Sequence, residues 1–279
     1  MTPHGNIRPA ADARLLDELT TVVSHAAAAI LAVRAASLDP RQKADRSPVT
    51  AADDAAEGVI LDGVSKLLPG IPIVSEEAAQ TVAPRHSGGD FLLVDPLDGT
   101  RELLAGRDEF TVNLAMISGG RPQLGIIAAP AVGLVWRAGG TAAERLRLAP
   151  GTAADAARER TPLRTRRLPD TGLVAAVSRL HLDAQTEAFL ARLPKVERIE
   201  SGSAVKFCRL AEGAADLYPR LSPTSEWDVA AGDAVLTAAG GVVTAWGGGP
   251  LSYGRNQPDF GILAFIAWGD PSAPARLGL

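Results

Sequence analysis

The run Phe91–Thr100, FLLVDPLDGT, restricts what this chain can fold into more than any other stretch. Phe91, Leu92, Leu93 and Val94 are an unbroken apolar run, the pattern of a short buried strand. The strand is expected to stop at Asp95, because Pro96 cannot donate to a sheet ladder. Gly99 permits a tight turn, and Thr100 is a good helix N-cap. Two carboxylates and a hydroxyl are thereby gathered at the end of a strand, where open α/β sheets bind ligands. Carboxylates so placed repel one another unless a cation holds them together, so the stretch reads as half of a metal site. An Asx-turn closed by Asp95 over the proline accounts for the same residues, and this stretch alone does not choose.

Acids elsewhere supply the other half. Ile71–Val74 is a second short apolar run and ends in Ser75, Glu76 and Glu77. If the two runs are neighbours in one sheet, Glu76 faces Asp95 and Asp98, whereas Glu77 fits a solvated loop. In KADRSPVTAAD (43–53), Ser47-Pro48 forces an extended backbone, and Thr50 N-caps a helix that Pro69-Gly70 stops after Leu67–Leu68. Asp53 either completes a capping box with Thr50 or stands by the metal as a water-orienting carboxylate; both readings stay open. Asp228 is placed to N-cap Val229–Ala239, with an outer oxygen left for a metal.

Around these motifs the elements alternate. Leu15, Leu19, Val22, Ala26, Ile30 and Val33 predict a core-packing helix over residues 12–37. Phe110–Ile117, Gly125–Ala129, Val132–Arg137 and Glu144–Leu148 read as strands. The weakly periodic stretch 138–171 is where an N-terminal α+β domain (1–160) is expected to give way to a C-terminal α/β domain (161–279). There Leu173–Ser178, Val196–Ile199 and Ala215–Tyr218 read as strands, and Asp183–Leu193 as a helix. Gly202-Ser203-Ala204-Val205-Lys206 opens another helix, a natural anion site, although an ordinary cap and a solvated lysine explain Ser203 and Lys206 equally.

Composition narrows the chemistry. A net charge of −4 over 279 residues argues against coating nucleic acid. Cys208 is the single cysteine, which rules out an intrachain disulfide and fits a reducing compartment. His4, His25, His86 and His181 are scattered, so the metal is expected to be a hard, oxygen-bound cation such as Mg²⁺. Residues 1–20 lack the apolar core of a signal peptide, and Val22–Val33 reads as too short to span a bilayer. The expected location is the cytoplasm.

SPVTAAD (47–53), SEE (75–77), DPLDGT (95–100) and WDVAAGDAVLTAAGG (227–241) occur in order. Together they resemble the lithium-sensitive, magnesium-dependent phosphatases of the inositol monophosphatase superfamily. KADRSPVTAAD, Arg101-Glu102, EFTVNLAMI (109–117) and GSAVKFCRLAEGAADLYPR (202–220) are similar to its bacterial 3′(2′),5′-bisphosphate nucleotidases, the CysQ family. The Asp-x-Asp pattern of haloacid-dehalogenase phosphatases does not fit, since two residues separate Asp95 from Asp98.

The resemblance implies a layered αβαβα sandwich, of α+β and α/β character. It implies two or three Mg²⁺ ions on the acids matching Glu76, Asp95, Asp98 and Asp228, with the backbone carbonyl of Leu97. Asp53 and Thr100 match the residues that orient or deprotonate the attacking water. The Gly99 and Thr100 amides match the cradle of the scissile phosphate. Ser203, Lys206 and Arg220 match positions that hold the nucleotide and its second phosphate, and His181 a residue beside the adenosine. Leu103 and Leu180 depart from the family's usual Phe and Ser, near the substrate face. The expected reaction removes the 3′-phosphate of adenosine 3′,5′-bisphosphate. An inositol-1-phosphate phosphatase and a non-catalytic metal- and phosphate-binding protein are the alternatives. A homodimer and peripheral attachment at the inner face of the cytoplasmic membrane stay open.

Overall fold

A computed structural model describes residues 13–43, 47–77, 89–179, 182–254 and 260–279. The chain opens with α1 (Ala13–Ala36), then a small hairpin of β1 (Arg41–Gln42) and β2 (Pro48–Val49), then α2 (Ala51–Leu67). Seven strands follow in one sheet, in chain order: β3 (Ile73–Ser75), β4 (Phe91–Asp98), β5 (Thr111–Ser118), β6 (Arg121–Ala129), β7 (Leu134–Gly139), β8 (Ala142–Arg147) and β9 (Glu159–Pro162). The short α3 (Thr100–Leu104) connects β4 to β5. Only β3 and β4 pair in parallel; the other neighbours are antiparallel.

The remaining elements are β10 (Leu173–Ser178), α4 (Ala184–Ala191), β11 (Val196–Ser201), α5 (Val205–Ala211), β12 (Leu217–Arg220), β13 (Thr224–Ser225), α6 (Glu226–Ala238), β14 (Val242–Ala245), β15 (Gly261–Ile262), β16 (Phe265–Trp268) and α7 (Ala273–Leu277). Five of these strands form a mixed sheet in the order β11-β10-β12-β16-β14, while β13 pairs with β15.

Side-chain alternation explains the layering. On β4, Leu92 and Val94 pack with α1 and α2, while Phe91 and Leu93 pack toward α5 and α6. Val112, Leu114 and Met116 on β5 repeat the first face, and Ala115 and Ile117 the second. A sheet apolar on both faces must be covered on both. Beyond α5 and α6 lies the five-stranded sheet, whose outer face meets Phe189 and Leu190 of α4 and Ala273 of α7. The five layers are therefore αβαβα, as the motifs implied.

Two expectations need correction. The strand does not stop at Asp95: β4 continues through Pro96 to Asp98, with a register shift against β5 between Asp95 and Asp98. Pro96 is tolerated because the extra residue is a bulge, where its missing N–H costs no ladder bond. The N-terminal helix, at 24 residues, is also long and apolar enough to cross a bilayer. Its buried residues, including Leu19, Val23 and Ile30, are instead part of the core that α2 and the seven-stranded sheet complete.

The middle layer fits closely because of two glycines. A Cβ on Gly125 of β6 would lie 2.5 Å from the Ala231 carbonyl oxygen of α6, and one on Gly232 would lie 2.3 Å from the Phe207 ring of α5. Gly58 of α2, by contrast, has nothing within 4 Å of such an atom. Gly125→Ala is expected to lower stability by about 1–3 kcal/mol, and Gly58→Ala to raise it by about 0.5–1 kcal/mol. Denaturant unfolding of the two variants against the parent checks both signs.

Candidate functional site

The bulge in β4 makes the site. Asp95 and Asp98 are three residues apart, a spacing that sends side chains to opposite faces of a regular strand. Here Asp95 pairs with Asn113 and Asp98 with Thr111, two residues of β5 that share one face. The one-residue insertion therefore turns both carboxylates to the same side. Parallel pairing of β3 with β4 continues one step beyond β3, where the Glu76 N–H donates to the Val94 carbonyl at 3.1 Å, bringing Glu76 beside Asp95.

Asp228 arrives from the first turn of α6. It is not the N-cap expected from sequence: Ser225 is, and Asp228 is the third helical residue. Its Oδ2 accepts the Ser225 N–H at 3.0 Å and is also hydrogen-bonded by the Thr224 hydroxyl. One carboxylate oxygen each of Glu76, Asp95 and Asp228 lies within 4.8 Å of the others. Asp98 lines the same cleft, of about 350 Å³, and the Asn113 Nδ2 donates to its Oδ2 at 3.4 Å.

Electrostatics reports the crowding. Burial first, then the repulsion of Glu76, Asp98 and Asp228, raises Asp95 well above the usual carboxylate range. Burial also pushes Glu76 up to about 7, with Lys43 opposing and Asp228 adding to the rise. Asp98 is pushed up to about 7 by burial and by Asp228, against Lys206. An all-oxygen, multiply charged donor set of this kind fits a hard divalent cation.

Asp53 and Thr100 meet across 47 residues of chain. Asp53 Oδ2 accepts the Thr50 N–H at 2.7 Å and the Thr50 hydroxyl at 2.8 Å, so the capping box is real. Its other oxygen, Oδ1, accepts the Thr100 hydroxyl at 3.0 Å. The capping box is therefore formed, and the oxygen it leaves over reaches Thr100. Asp95 behaves likewise: its Oδ1 accepts the Leu97 N–H at 3.0 Å, the turn that sequence allowed. Thr100 is not an N-cap, because Gly99 takes that position with φ of 101°. A side chain at Gly99 would also press on Phe110 and the Glu109 carbonyl.

Cationic residues line the same cleft. Lys206 is not solvated: it is buried, its ammonium donating to the Ser203 carbonyl at 2.6 Å and to the Ser201 carbonyl at 3.3 Å. Burial lowers its pKa to about 8, against the pull of Asp98. Arg220 Nη2 donates to the Pro223 carbonyl at 3.3 Å, and its buried Nε has no hydrogen-bond partner among the described residues. Ser203 and Gly202 also line the cleft, with Ser203 at φ of 42° rather than in an ordinary cap. His181 lies outside the described residues.

Sequence reading missed Lys43, quoted only as part of a motif. Its ammonium bridges Glu76 at 2.7 Å and Glu77 at 2.6 Å, so Glu77 is an ion-pair partner rather than a solvated acid. Burial works against the Lys43 charge, but Glu76 and Glu77 outweigh it and raise its pKa. A lysine ten residues ahead of Asp53 carries no periodic signal that could have announced this contact. Asn113 was hidden for another reason: one polar residue inside the strand FTVNLAMI looks like a defect until its register partner is known.

Comparison with known proteins gives the family of this chain. The model of the Inositol monophosphatase family matches residues 13–263. The 3′(2′),5′-bisphosphate nucleotidase CysQ of Escherichia coli O157:H7 is 41% identical over 241 residues, covering 86% of this chain and 94% of that protein. The crystal structure of CysQ from Bacteroides thetaiotaomicron superposes with a TM-score of 0.75 at 31% identity, covering 90% and 95% of the two chains. Mycobacterium tuberculosis SuhB gives 0.71 at 25% identity, covering 95% of each.

The raised carboxyl groups set a pH signature for the metal-free protein. The folded state holds these protons more tightly than the unfolded chain, so stability falls as pH rises from about 4 toward 7 and stays low above. Melting in chelator is expected to be lower at pH 8 than at pH 5, with added divalent cation recovering the difference; a flat or rising profile contradicts this assignment. By family match, fold and the placement of its acidic motifs, the chain belongs to the inositol monophosphatase family.

Proposed function

We propose that this protein is a magnesium-dependent 3′(2′),5′-bisphosphate nucleotidase that removes the 3′-phosphate of adenosine 3′,5′-bisphosphate, giving AMP and phosphate. The observation that carries the reading is a single cleft holding both the converging carboxylates of Glu76, Asp95 and Asp228 and two cations, the buried Lys206 and the half-buried Arg220. An oxygen-rich acidic cluster alone suits any divalent cation, but the cations beside it suit a substrate with more than one phosphate. The chain's likeness to the CysQ nucleotidases supports the same substrate class.

In this reading Glu76, Asp95, Asp98, Asp228 and the Leu97 carbonyl hold two or three Mg²⁺ ions. When bound, they supply charge neutralisation on the phosphoryl group, an acidified water and relief for the leaving oxygen. The protein's own groups then do the positioning. The Thr100 hydroxyl has Asp53 Oδ1 at 3.0 Å and the Leu97 carbonyl at 3.3 Å as acceptors; donating its single proton to the nearer, charged one leaves its lone pairs to accept from a water in the cleft. Thr100 thereby orients the attacking water, and the Asp53 charge favours its loss of a proton. The Gly99 and Thr100 amides face the scissile phosphate at the start of α3. The Arg220 Nε–H, without a partner among the described residues, and the Lys206 ammonium take the second phosphate, with Ser203 toward the nucleoside.

The division into domains 1–160 and 161–279 belongs to this proposal, with the metal ligands on the first except for Asp228. So does a cytoplasmic setting, with which the buried, unpaired Cys208 is compatible.

Phosphate release from adenosine 3′,5′-bisphosphate and from inositol 1-phosphate, side by side in magnesium and in chelator, tests the proposal. Magnesium-dependent preference for the bisphosphate is expected; preference for the inositol ester reassigns the substrate, and no release from either removes the enzymatic reading. Asp53→Asn keeps an acceptor for the α2 cap but loses the charge. Its turnover should fall by about 10²–10⁴-fold in a folded protein. Parent-like turnover takes Asp53 out of the mechanism.

A further inference from the structure

Glu109, on the loop between α3 and β5, has been given no role above, yet it touches the anion side of the cleft three ways. Its Oε2 accepts the Gly202 N–H at 3.2 Å and is paired with the Arg179 guanidinium. Its backbone carbonyl accepts the Ser203 hydroxyl at 3.2 Å. A Cβ on Gly202 would lie 2.7 Å from that carbonyl oxygen and 3.0 Å from Cγ of Glu102, so no other residue fits this approach unaltered. Arg179 also reaches back to the Glu200 carbonyl at 3.2 Å, tying the pair to β11.

The contact sets a turn that would not hold itself. Ser203 sits at φ of 42°, a left-handed conformation that is unfavourable for a non-glycine residue and persists only when its surroundings impose it. That conformation aims the Ser203 carbonyl at the Lys206 ammonium, 2.6 Å away. The ammonium is further held by the Ser201 carbonyl and lies 5.2 Å from the centre of the Tyr218 ring. Both carbonyls that accept from Lys206 thus flank Gly202, the residue whose N–H Glu109 holds.

The loop bearing Glu109 is itself anchored. Arg34, near the end of α1, pairs with Asp108 at 2.9 Å and donates to the Gly106 carbonyl at 3.1 Å. Its guanidinium lies 5.3 Å from the centre of the Phe110 ring.

We propose that Glu109 is a positioning residue for substrate selection: by clamping the Gly202–Ser203 turn, it fixes where Lys206 presents its charge to a second phosphate. The inference rests on the nucleotidase reading above. It predicts a change in which phosphate ester is preferred, not in how the ester is cut.

The test compares adenosine 3′,5′-bisphosphate with adenosine 3′-monophosphate, which differ only in the second phosphate, on full-length protein in magnesium. Glu109→Gln keeps an acceptor for Gly202 but drops the charge that holds Arg179. The ratio of the two KM values is expected to move about ten-fold against the bisphosphate, with kcat on the bisphosphate within about two-fold of the parent. Arg179→Gln, which releases the same carboxylate from the other side, should move the ratio in the same direction. In a Lys206→Ala background, Glu109→Gln should add little, because the group it positions is gone. An unchanged ratio in both single variants, or full additivity in the double, overturns the inference. If Lys206→Ala itself weakens both esters alike, the second-phosphate reading fails instead, and the two failures are told apart by that variant alone.

Discussion

Like charge held in a confined space is the constraint on which the rest of this structure depends. Glu76, Asp95, Asp98 and Asp228 share one cleft, and there burial and neighbouring carboxylates make Glu76, Asp95 and Asp98 harder to ionise. A fold has no reason to gather such groups for its own stability, since hydrophobic replacements of similar volume cost less. What gathers them is geometry: a bulge that turns two aspartates to one face, a parallel strand that delivers Glu76, and a helix start that delivers Asp228. Lys43 answers part of the charge by bridging Glu76 and Glu77. The remainder calls for a cation from outside the chain.

Three acids at or beside the cleft each fix one oxygen on a backbone N–H. Asp95 gives Oδ1 to the Leu97 N–H, Asp53 gives Oδ2 to the Thr50 cap, and Asp228 gives Oδ2 to the Ser225 N–H. A carboxylate with one oxygen fixed by backbone cannot rotate freely, so its other oxygen is held in place. A turn or cap contact on one oxygen is therefore compatible with the metal-binding or water-orienting role proposed for the other, and local turn chemistry holds these carboxylates in place. The same economy holds at Glu109, whose backbone and side chain together pin the turn below Lys206.

Much of this was legible before any coordinates. Apolar runs ending in acids located β3 and β4, and the Thr50 cap and the Pro69-Gly70 stop bounded α2 within a residue. What sequence could not show was register. Pro96 argued for the end of a strand, because a bulge is visible only against its partner strand, and the insertion opposite Asn113 leaves no mark in the run FLLVDPLDGT itself. Side chains acting across long separations were hidden likewise. Lys43 and Glu76 are 33 residues apart, and Arg179 and Glu109 are 70 apart. The burial of Lys206 was concealed because a lysine in the first turn of a helix is ordinarily solvated, and here the backbone carbonyls of Ser201 and Ser203 satisfy its ammonium.

The central claim is that acids distant in sequence converge to hold divalent cations. A crystal structure grown with Mn²⁺ in place of Mg²⁺, read by its anomalous signal, addresses it directly. The account predicts at least one strong peak bounded by oxygens of Glu76, Asp95 and Asp228, with Asp98 alongside. The absence of any such peak, with the four carboxylates turned to separate partners, would contradict it.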